Sequence, residues 1–193
     1  MKRIVLGLVG YSGAGKGTVA RYLSDRKSFS VVSLSDIARQ EAQKSKVNLK
    51  NRKDLHIFSN TLRARFGNDV FAKKLIPIIK KLRSRRLVID GIRHPDEVRL
   101  LKTYLPGLIL LAVKTDIKKR FQRLIKRKRP LDPTTFAEFI ASEKIEKGNS
   151  KDKTAPQQQN QACVEMADRE IKNNGKIENL FRQLDAFLLM IGG

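Results

Sequence analysis

Ile4-Val5-Leu6-Gly7-Leu8-Val9 runs directly into Gly10-Tyr11-Ser12-Gly13-Ala14-Gly15-Lys16-Gly17-Thr18, and this stretch decides the fold. The first six residues form a short apolar run with β-branched members, the pattern of a strand buried on both faces. The next nine carry the spacing Gly-x4-Gly-Lys, and Lys16–Asp25 continues with Val19, Ala20 and Leu23 at helical intervals. Strand, glycine turn and helix in that order make a phosphate-binding loop. Glycines let the backbone wrap a phosphate, successive N–H groups point inward, and the helix N-terminus adds a positive dipole. Lys16 then places a point charge on the β- and γ-phosphates. The plain alternative is a glycine turn between strand and helix, against which position, spacing and context agree. Gly10, Ser12, Gly13, Ala14, Gly15, Lys16, Gly17 and Thr18 are therefore the expected nucleotide-binding residues.

Outward from the loop, short apolar runs alternate with helical patterns. Ser30–Leu34, Arg86–Ile89 and Leu108–Val113 read as strands, with a weak strand near Glu170–Lys172. Between them the spacing predicts a helix opening at Ser35–Asp36. Further helices are expected over Asp54–Phe66, ending at Gly67, and over Asp69–Arg83, interrupted by Pro77. Then come His94–Tyr104, a basic helix over Asp116–Lys128, Thr134–Glu146 after the Asp132–Pro133 turn, and an amphipathic helix over Lys176–Ile191. Gly148–Gln159 is polar and poor in apolar residues, a loop or mobile segment. Buried strands alternating with helices indicate an α/β domain with a parallel sheet covered on both faces. Ligands in such folds bind outside the carboxyl ends of the strands.

Composition narrows the classes. The chain has 193 residues, about the length of one domain. Aromatic residues make up 6% with no Trp, which argues against a stacking-rich binder of single-stranded nucleic acid. One cysteine, Cys163, excludes a disulfide scaffold and a Cys-based zinc site, and suits a reducing cytoplasm. His56 and His94 lack metal-ligand spacing; His94 reads as a surface histidine at a helix start, and Cys163 as a packed thiol. No apolar stretch reaches membrane-spanning length, and the basic-then-apolar start reads as a strand rather than a leader. Lys and Arg number 41 against 19 Asp and Glu, a net charge of +22, which calls for anionic partners without saying which.

The residues that follow the other strands carry chemistry. Ser35-Asp36-Ile37-Ala38-Arg39 puts an acid and a base on one helix face, or else a cap followed by a solvated arginine. Val88-Ile89-Asp90-Gly91-Ile92-Arg93 ends an apolar strand in a carboxylate, a Walker B-like arrangement that can hold the hydration shell of magnesium. Arg93 either reaches over the cleft or pairs with Asp96 or Glu97. Arg120, Arg123 and Arg127 share a face of the basic helix, as phosphate ligands or as a solvated or nucleic-acid-binding patch. Ala167-Asp168 leads through a strand to Asn173-Asn174-Gly175 before the last helix.

Taken together these motifs resemble the P-loop nucleotide and nucleoside kinases, in particular dephospho-coenzyme A kinase and adenylate kinase, in an archaeal-type branch. The resemblance runs from Gly10 to Gly175. The Gly-Lys-Gly-Thr ending of the loop is similar to that of nucleoside monophosphate kinases. It puts Gly17 where a strict loop has a hydroxyl ligand of magnesium, so Thr18 becomes a candidate α-phosphate contact or metal ligand. The resemblance implies a three-layer α/β/α fold with five parallel strands in the order 2-3-1-4-5. It implies one domain over residues 1–193, with an acceptor-binding insertion near 36–84 and a lid near 127–156. By the same resemblance ATP and Mg2+ are used. Lys16, Asp36, Arg123 and Arg127 would act in catalysis, and Asp36, Arg39, Arg63 and Arg93 on the acceptor. Asp90 would hold magnesium through water, and Asn173 and Gly175 would lie beside the adenine. The acceptor would be a nucleoside monophosphate, its deoxy form or a dephospho-coenzyme A-like molecule. The Asp-Gly-x-x-Arg of adenylate kinases is one residue longer than Asp90-Gly91-Ile92-Arg93.

Two rivals remain. One is a nucleic-acid-associated P-loop ATPase or polynucleotide kinase, favoured by the basic stretches Lys73–Arg86 and Lys114–Arg129. The other is a nucleotide-binding regulator without turnover. Five residues expected in the cleft, Lys16, Arg39, Arg93, Arg123 and Arg127, leave most of the charge excess unassigned.

Overall fold

The computed structural model describes residues 3–49, 52–127, 132–148 and 155–192. Its sheet has five parallel strands: β1 (Ile4–Val9), β2 (Ser30–Ser33), β3 (Arg86–Asp90), β4 (Leu108–Lys114) and β5 (Arg169–Lys172), in the order β2-β3-β1-β4-β5. The order predicted from the family resemblance is the order observed. The helices are α1 (Lys16–Lys27), α2 (Leu34–Lys44), α3 (Arg52–Phe66), α4 (Val70–Lys81), α5 (Pro95–Tyr104), α6 (Ile117–Arg127), α7 (Phe136–Lys147), α8 (Asn160–Glu165) and α9 (Ile177–Met190).

The pleat sorts side chains between two cores. On one face Val5, Val9, Leu87, Ile89 and Leu110 pack with Leu34 of α2, Phe71 and Leu75 of α4, Val98 of α5 and Cys163 of α8. On the other, Leu6, Leu8, Val88 and Leu111 pack with Val19 and Leu23 of α1 and Leu180 and Leu184 of α9. Neighbours in sequence thus point to opposite layers, as a strand period of two requires. Each large apolar side chain so buried contributes about 1.5–3 kcal/mol. Tyr22 fastens α1 to α9: its ring stacks on Phe181 at 4.0 Å, and its hydroxyl donates to Asp185 at 2.8 Å.

Three local expectations are corrected. Pro77 does not interrupt α4, which runs unbroken from Val70 to Lys81. Phe71, Leu75 and Ile79 anchor one face in the core, while Pro77 stands in solvent, where water can serve the backbone carbonyl it deprives of a donor. Helix α2 begins at Leu34 with Ser33 as its N-cap, so Ser35 and Asp36 lie inside the first turn. There the Asp36 carboxylate complements the helix dipole rather than capping the end. Gln158 and Gln159, expected in a loose polar segment, are buried. Gln159 N–H donates to the Arg93 carbonyl at 2.8 Å and Gln159 Nε2 to the Ala155 carbonyl at 3.2 Å.

Helices α2, α3 and α4 occupy the expected acceptor insertion between β2 and β3, and α7 lies within the expected lid. Residues 128–131 and 149–154 of that lid region lie outside the described residues. Among the described residues, no helix is long and apolar enough to cross a membrane.

Candidate active site

The phosphate loop leaves the carboxyl end of β1, between β3 and β4, and enters α1. Three of its glycines, Gly10, Gly13 and Gly15, are dictated by geometry, the first and last most sharply. Gly10 has φ 140°, and a Cβ there would come within 2.5 Å of the Val113 carbonyl oxygen. Gly15, the N-cap of α1, has φ 103°, and its Cβ would overlap the Asn173 amide at 2.2 Å. Gly10→Ala combines left-handed strain with a backbone collision, so a loss of roughly 2–4 kcal/mol is expected, read by urea denaturation. A change below about 0.5 kcal/mol would contradict the loop geometry.

Lys16 lies over its own loop, its Nζ donating to the Gly10 carbonyl at 2.5 Å and the Tyr11 carbonyl at 3.2 Å. The ammonium is thereby held at the mouth of the loop. Gly17 faces open space: among the described residues nothing beyond its chain neighbours and its own helix backbone lies within 4 Å of where its Cβ would stand.

A polar wall backs the loop. The Ala14 carbonyl accepts from Asn173 Nδ2 at 2.8 Å, Thr115 Oγ1 at 2.9 Å and Arg123 Nη1 at 3.4 Å. Arg123 Nη2 also donates to the Asn173 carbonyl at 2.7 Å. Arg123 and Asn173 therefore brace the loop from the β4–β5 side, a buttress that motif reading does not show. Gly175 lies one turn beyond, close to Asn179 of α9. Arg120 is buried beside this wall. Its Nη1 donates to the Ser12 carbonyl at 3.3 Å and its guanidinium lies 5.0 Å from the Tyr11 ring. The same guanidinium pairs with Glu143 of α7 at 2.6 Å and sits 5.5 Å from Phe139. Arg120 thus ties the loop to α7, a link between residues too far apart in sequence for spacing to reveal. Arg127 is held by Asp132 in a two-point ion pair, with Nη2 at 2.6 Å.

The other strand ends bring carboxylates and arginines to the same edge of the sheet. Asp90 closes β3, in register with Ser33 of β2, and its Oδ1 accepts from Gly91 N–H at 2.7 Å. Asp36 and Arg39 form an exposed pair on α2, with Arg39 Nη1 2.6 Å from Asp36 Oδ1. Arg93 donates through Nη1 to Gln158 Oε1 at 3.2 Å; its pairing is with this glutamine rather than with a carboxylate.

Arg63 departs from its expected place. It is 3% exposed, 3.1 Å from the fully buried Glu97, with its guanidinium 5.1 Å from the Phe71 ring. Burial inside the helical layer removes it from the acceptor-facing arginines. Glu97 also accepts from the backbone N–H of Arg93 at 2.8 Å and of His94 at 3.1 Å, so it fixes the chain just after Asp90. His94 is buried, not on the surface. Its Nδ1 accepts from Asp96 N–H at 3.2 Å, so the proton sits on Nε2, which donates to the Ala155 carbonyl at 3.1 Å.

Desolvation pushes the His94 pKa below its ordinary 6.5, the Ala155 bond and the Glu97 charge opposing it. The unfolded chain therefore binds the extra proton first. The stability His94 contributes is complete above pH 6.5 and is lost as pH falls from there toward the lower folded value. His94→Asn, which keeps a capping acceptor, should flatten the fall of the urea midpoint as pH drops below 6.5. An unchanged pH slope would contradict a buried neutral imidazole. The Cys163 thiol is likewise buried and its pKa pushed up by desolvation, so it is inert packing, as expected.

The donor set fits magnesium bound with nucleotide. Among the described residues no cluster of three His, Cys, Asp or Glu could cage a metal ion. A single carboxylate beside a phosphate loop is what Mg2+ uses, since it keeps several waters and takes its other ligands from phosphate. Asp90, at the end of β3, and Thr18, the hydroxyl nearest the loop lysine in sequence, are the residues that would hold it.

Fold and loop define a nucleotide-binding P-loop protein with a kinase-like fold. A family model described as an AAA domain matches residues 6–146. The UPF0200 protein of Methanothermobacter thermautotrophicus is 34% identical over 148 residues, covering 77% of this chain and 74% of its own. That of Staphylothermus marinus is 31% identical over 182 residues, covering 94% and 89%. The chain belongs to the UPF0200 family and carries the AAA domain of P-loop proteins over residues 6–146. Among solved structures, TT1252 from Thermus thermophilus matches over 100% of both chains with a TM-score of 0.64 at 22% identity. A shikimate kinase from Bacteroides thetaiotaomicron matches with a TM-score of 0.55 at 10% identity, over 98% of this chain and 99% of its own. A gluconokinase from Sinorhizobium meliloti gives 0.56 at 12%, over 98% and 93%. At these identities the likeness is one of fold.

Proposed function

We propose that this protein is a cytoplasmic phosphotransferase that moves the γ-phosphoryl group of ATP to a small acceptor. The acceptor is a nucleoside monophosphate, its deoxy form, or a dephospho-coenzyme A-like molecule. The observation behind this reading is that Lys16, Asp90 and the Asp36–Arg39 pair lie at or just beyond the carboxyl ends of β1, β3 and β2, which are neighbours in the sheet. Kinase-like solved structures support it at the level of fold.

In this reading the loop amides and Lys16 hold the β- and γ-phosphates. Loose phosphoryl-transfer transition states gain mainly from positioning and positive charge, which is what a lysine at the loop mouth supplies. Asp90 and Thr18 would hold hydrated magnesium, which neutralises phosphate charge when bound. Arg39 and Arg93 clamp the acceptor, and Arg127 approaches from the lid. Arg123 and Asn173 act one step back, by fixing the loop. Asp36 orients the acceptor, and takes its proton where the acceptor is a hydroxyl.

The test is ADP release with each nucleoside monophosphate, each deoxy form, dephospho-coenzyme A, nucleosides and oligonucleotides in turn. Asp36→Asn refines it. An acceptor phosphate is already ionised and needs no strong base, so turnover should fall about tenfold or less. A hydroxyl acceptor should lose about 10²–10⁴-fold. Equal, near-complete loss with every acceptor would sink the orienting role. Release of ADP with none of them would sink the kinase reading.

A further inference from the structure

The charge excess has a location that the cleft does not explain. In a parallel sheet every strand begins at one edge and ends at the other, and the site described above occupies the carboxyl edge. At the amino edge three junctions lie side by side: the start of β1, the α1–β2 turn and the α4–β3 turn, because β1, β3 and β2 are neighbours. Each is basic. Arg3 precedes β1, Arg26 and Lys27 end α1, and Lys80 and Lys81 end α4, followed by Arg83, Arg85 and Arg86.

This pole is built, not merely charged. Ile4 N–H donates to the Arg85 carbonyl at 2.8 Å, and Arg86 Nη1 donates to the Lys27 carbonyl at 3.2 Å, so the three junctions are tied together. Ser84 turns back, its Oγ donating to the Arg86 carbonyl at 2.7 Å, while Arg83 and Arg85 on either side are exposed. Leu82 packs against the core, so no apolar side chain stands among the cations of this loop. Among the described residues, Arg3, Arg26, Lys81, Arg83 and Arg85 have no carboxylate partner; the ion pair of this pole is Lys27–Asp185 at 2.7 Å. Proteins ordinarily disperse such charge or pair it, since close like charges repel.

We infer that the amino edge of β1, β3 and β2 is a docking surface for the phosphate backbone of double-helical nucleic acid. Arginine predominates at the exposed turn, and its planar fork matches phosphate oxygens in two-point contact. The aromatic rings at this pole are covered: Phe29 is buried beneath Arg86, and Tyr104 lies half-buried under Lys80. Contact is therefore with backbone charge and not with stacked bases, and binding is independent of sequence. A bilayer fits less well. The most exposed apolar pair at this end, Leu189 and Met190, stands on α9 beside α1, across the sheet from the arginines of the α4–β3 turn. The six residues of β1 at about 3.3 Å each place the surface roughly 20 Å from the phosphate loop, so nucleotide and nucleic acid can bind together.

The experiment is fluorescence anisotropy of the full chain with labelled RNA and DNA duplexes of about 20 base pairs, titrated across a sodium chloride series. Binding to either duplex in the micromolar range is expected, with log affinity falling linearly in log salt at a slope of about −3 to −5. Lys81→Glu/Arg83→Glu/Arg85→Glu should weaken it at least tenfold and reduce the slope by about 2–3. The glutamine version should act in the same direction, and both should keep wild-type nucleotide binding because the residues lie away from the cleft. Lys118→Glu/Lys144→Glu/Lys147→Glu removes the same charge from α6 and α7 and should change affinity less than about threefold. Equal loss in the two glutamate triples would overturn the assignment, since total charge would then explain binding. Binding to phosphatidylserine vesicles without binding to either duplex would also overturn it. None of these readouts depends on turnover, so the test stands apart from the kinase proposal.

Discussion

Lys16→Ala is expected to lower ADP release by about 10²–10³-fold with the fold intact. The ammonium is the one side-chain charge that the loop itself supplies, and it is held at the mouth by the Gly10 and Tyr11 carbonyls. Truncation leaves the loop amides and the α1 dipole to bind phosphate, so ATP affinity should fall less than turnover. That split is what a charge serving the transition state produces. Circular dichroism and a urea midpoint separate it from unfolding. Unchanged turnover would show that the glycine turn is not a phosphate loop.

Glu97→Ala should be the most destabilising of the substitutions considered, by about 3–5 kcal/mol. The carboxylate is fully buried and serves three donors: Arg63 and the backbone N–H groups of Arg93 and His94. Among the described residues two Arg63 nitrogens, Nε and Nη1, already have no hydrogen-bond partner, so removing Glu97 strands the buried guanidinium. Glu97→Gln keeps an acceptor for the backbone and should recover part of the loss, as read in urea. Arg63→Met with Glu97→Gln should approach wild-type stability, because removing both charges removes the desolvation cost with them. A double variant no better than Glu97→Ala would contradict a pair whose cost lies in its charges.

The sequence made the frame legible because the frame is local. Ile4–Val9 with its glycine loop, and the apolar runs ending at Asp90 and Val113, announce strand ends within a few residues of the chemistry they carry. The strand order came through family resemblance, since spacing alone does not choose among parallel arrangements. What stayed hidden depends on contacts between distant residues. Arg63 and Glu97 meet across 34 positions, whereas Arg63 reads as an acceptor-binding arginine and Glu97 as a partner open to Arg93. Arg120 looks like one more cation of a basic helix until α7 brings Glu143 over it. Gln158 and Gln159 belong to a polar tract whose composition says loop, yet the backbone of Arg93 gives that tract a partner. His94 misled for the same reason: a helix start is usually exposed, and burial here comes from the 155–160 segment packing over it.

Most of the +22 charge never belonged to the cleft, and it gathers in part at the far end of the strands. The two proposed functions, small-molecule chemistry at the carboxyl edge and polyanion docking at the amino edge, need not interfere. Which of them releases ADP is decided by where the transferred group goes. The direct measurement is the fate of label from γ-labelled ATP incubated with the protein, the acceptor panel and duplex nucleic acid together. Recovery of the label in one small acceptor, lost in Lys16→Ala, is the predicted result. Recovery as inorganic phosphate alone, at a rate raised by the duplex, would contradict the account and make the protein a nucleic-acid-dependent ATPase.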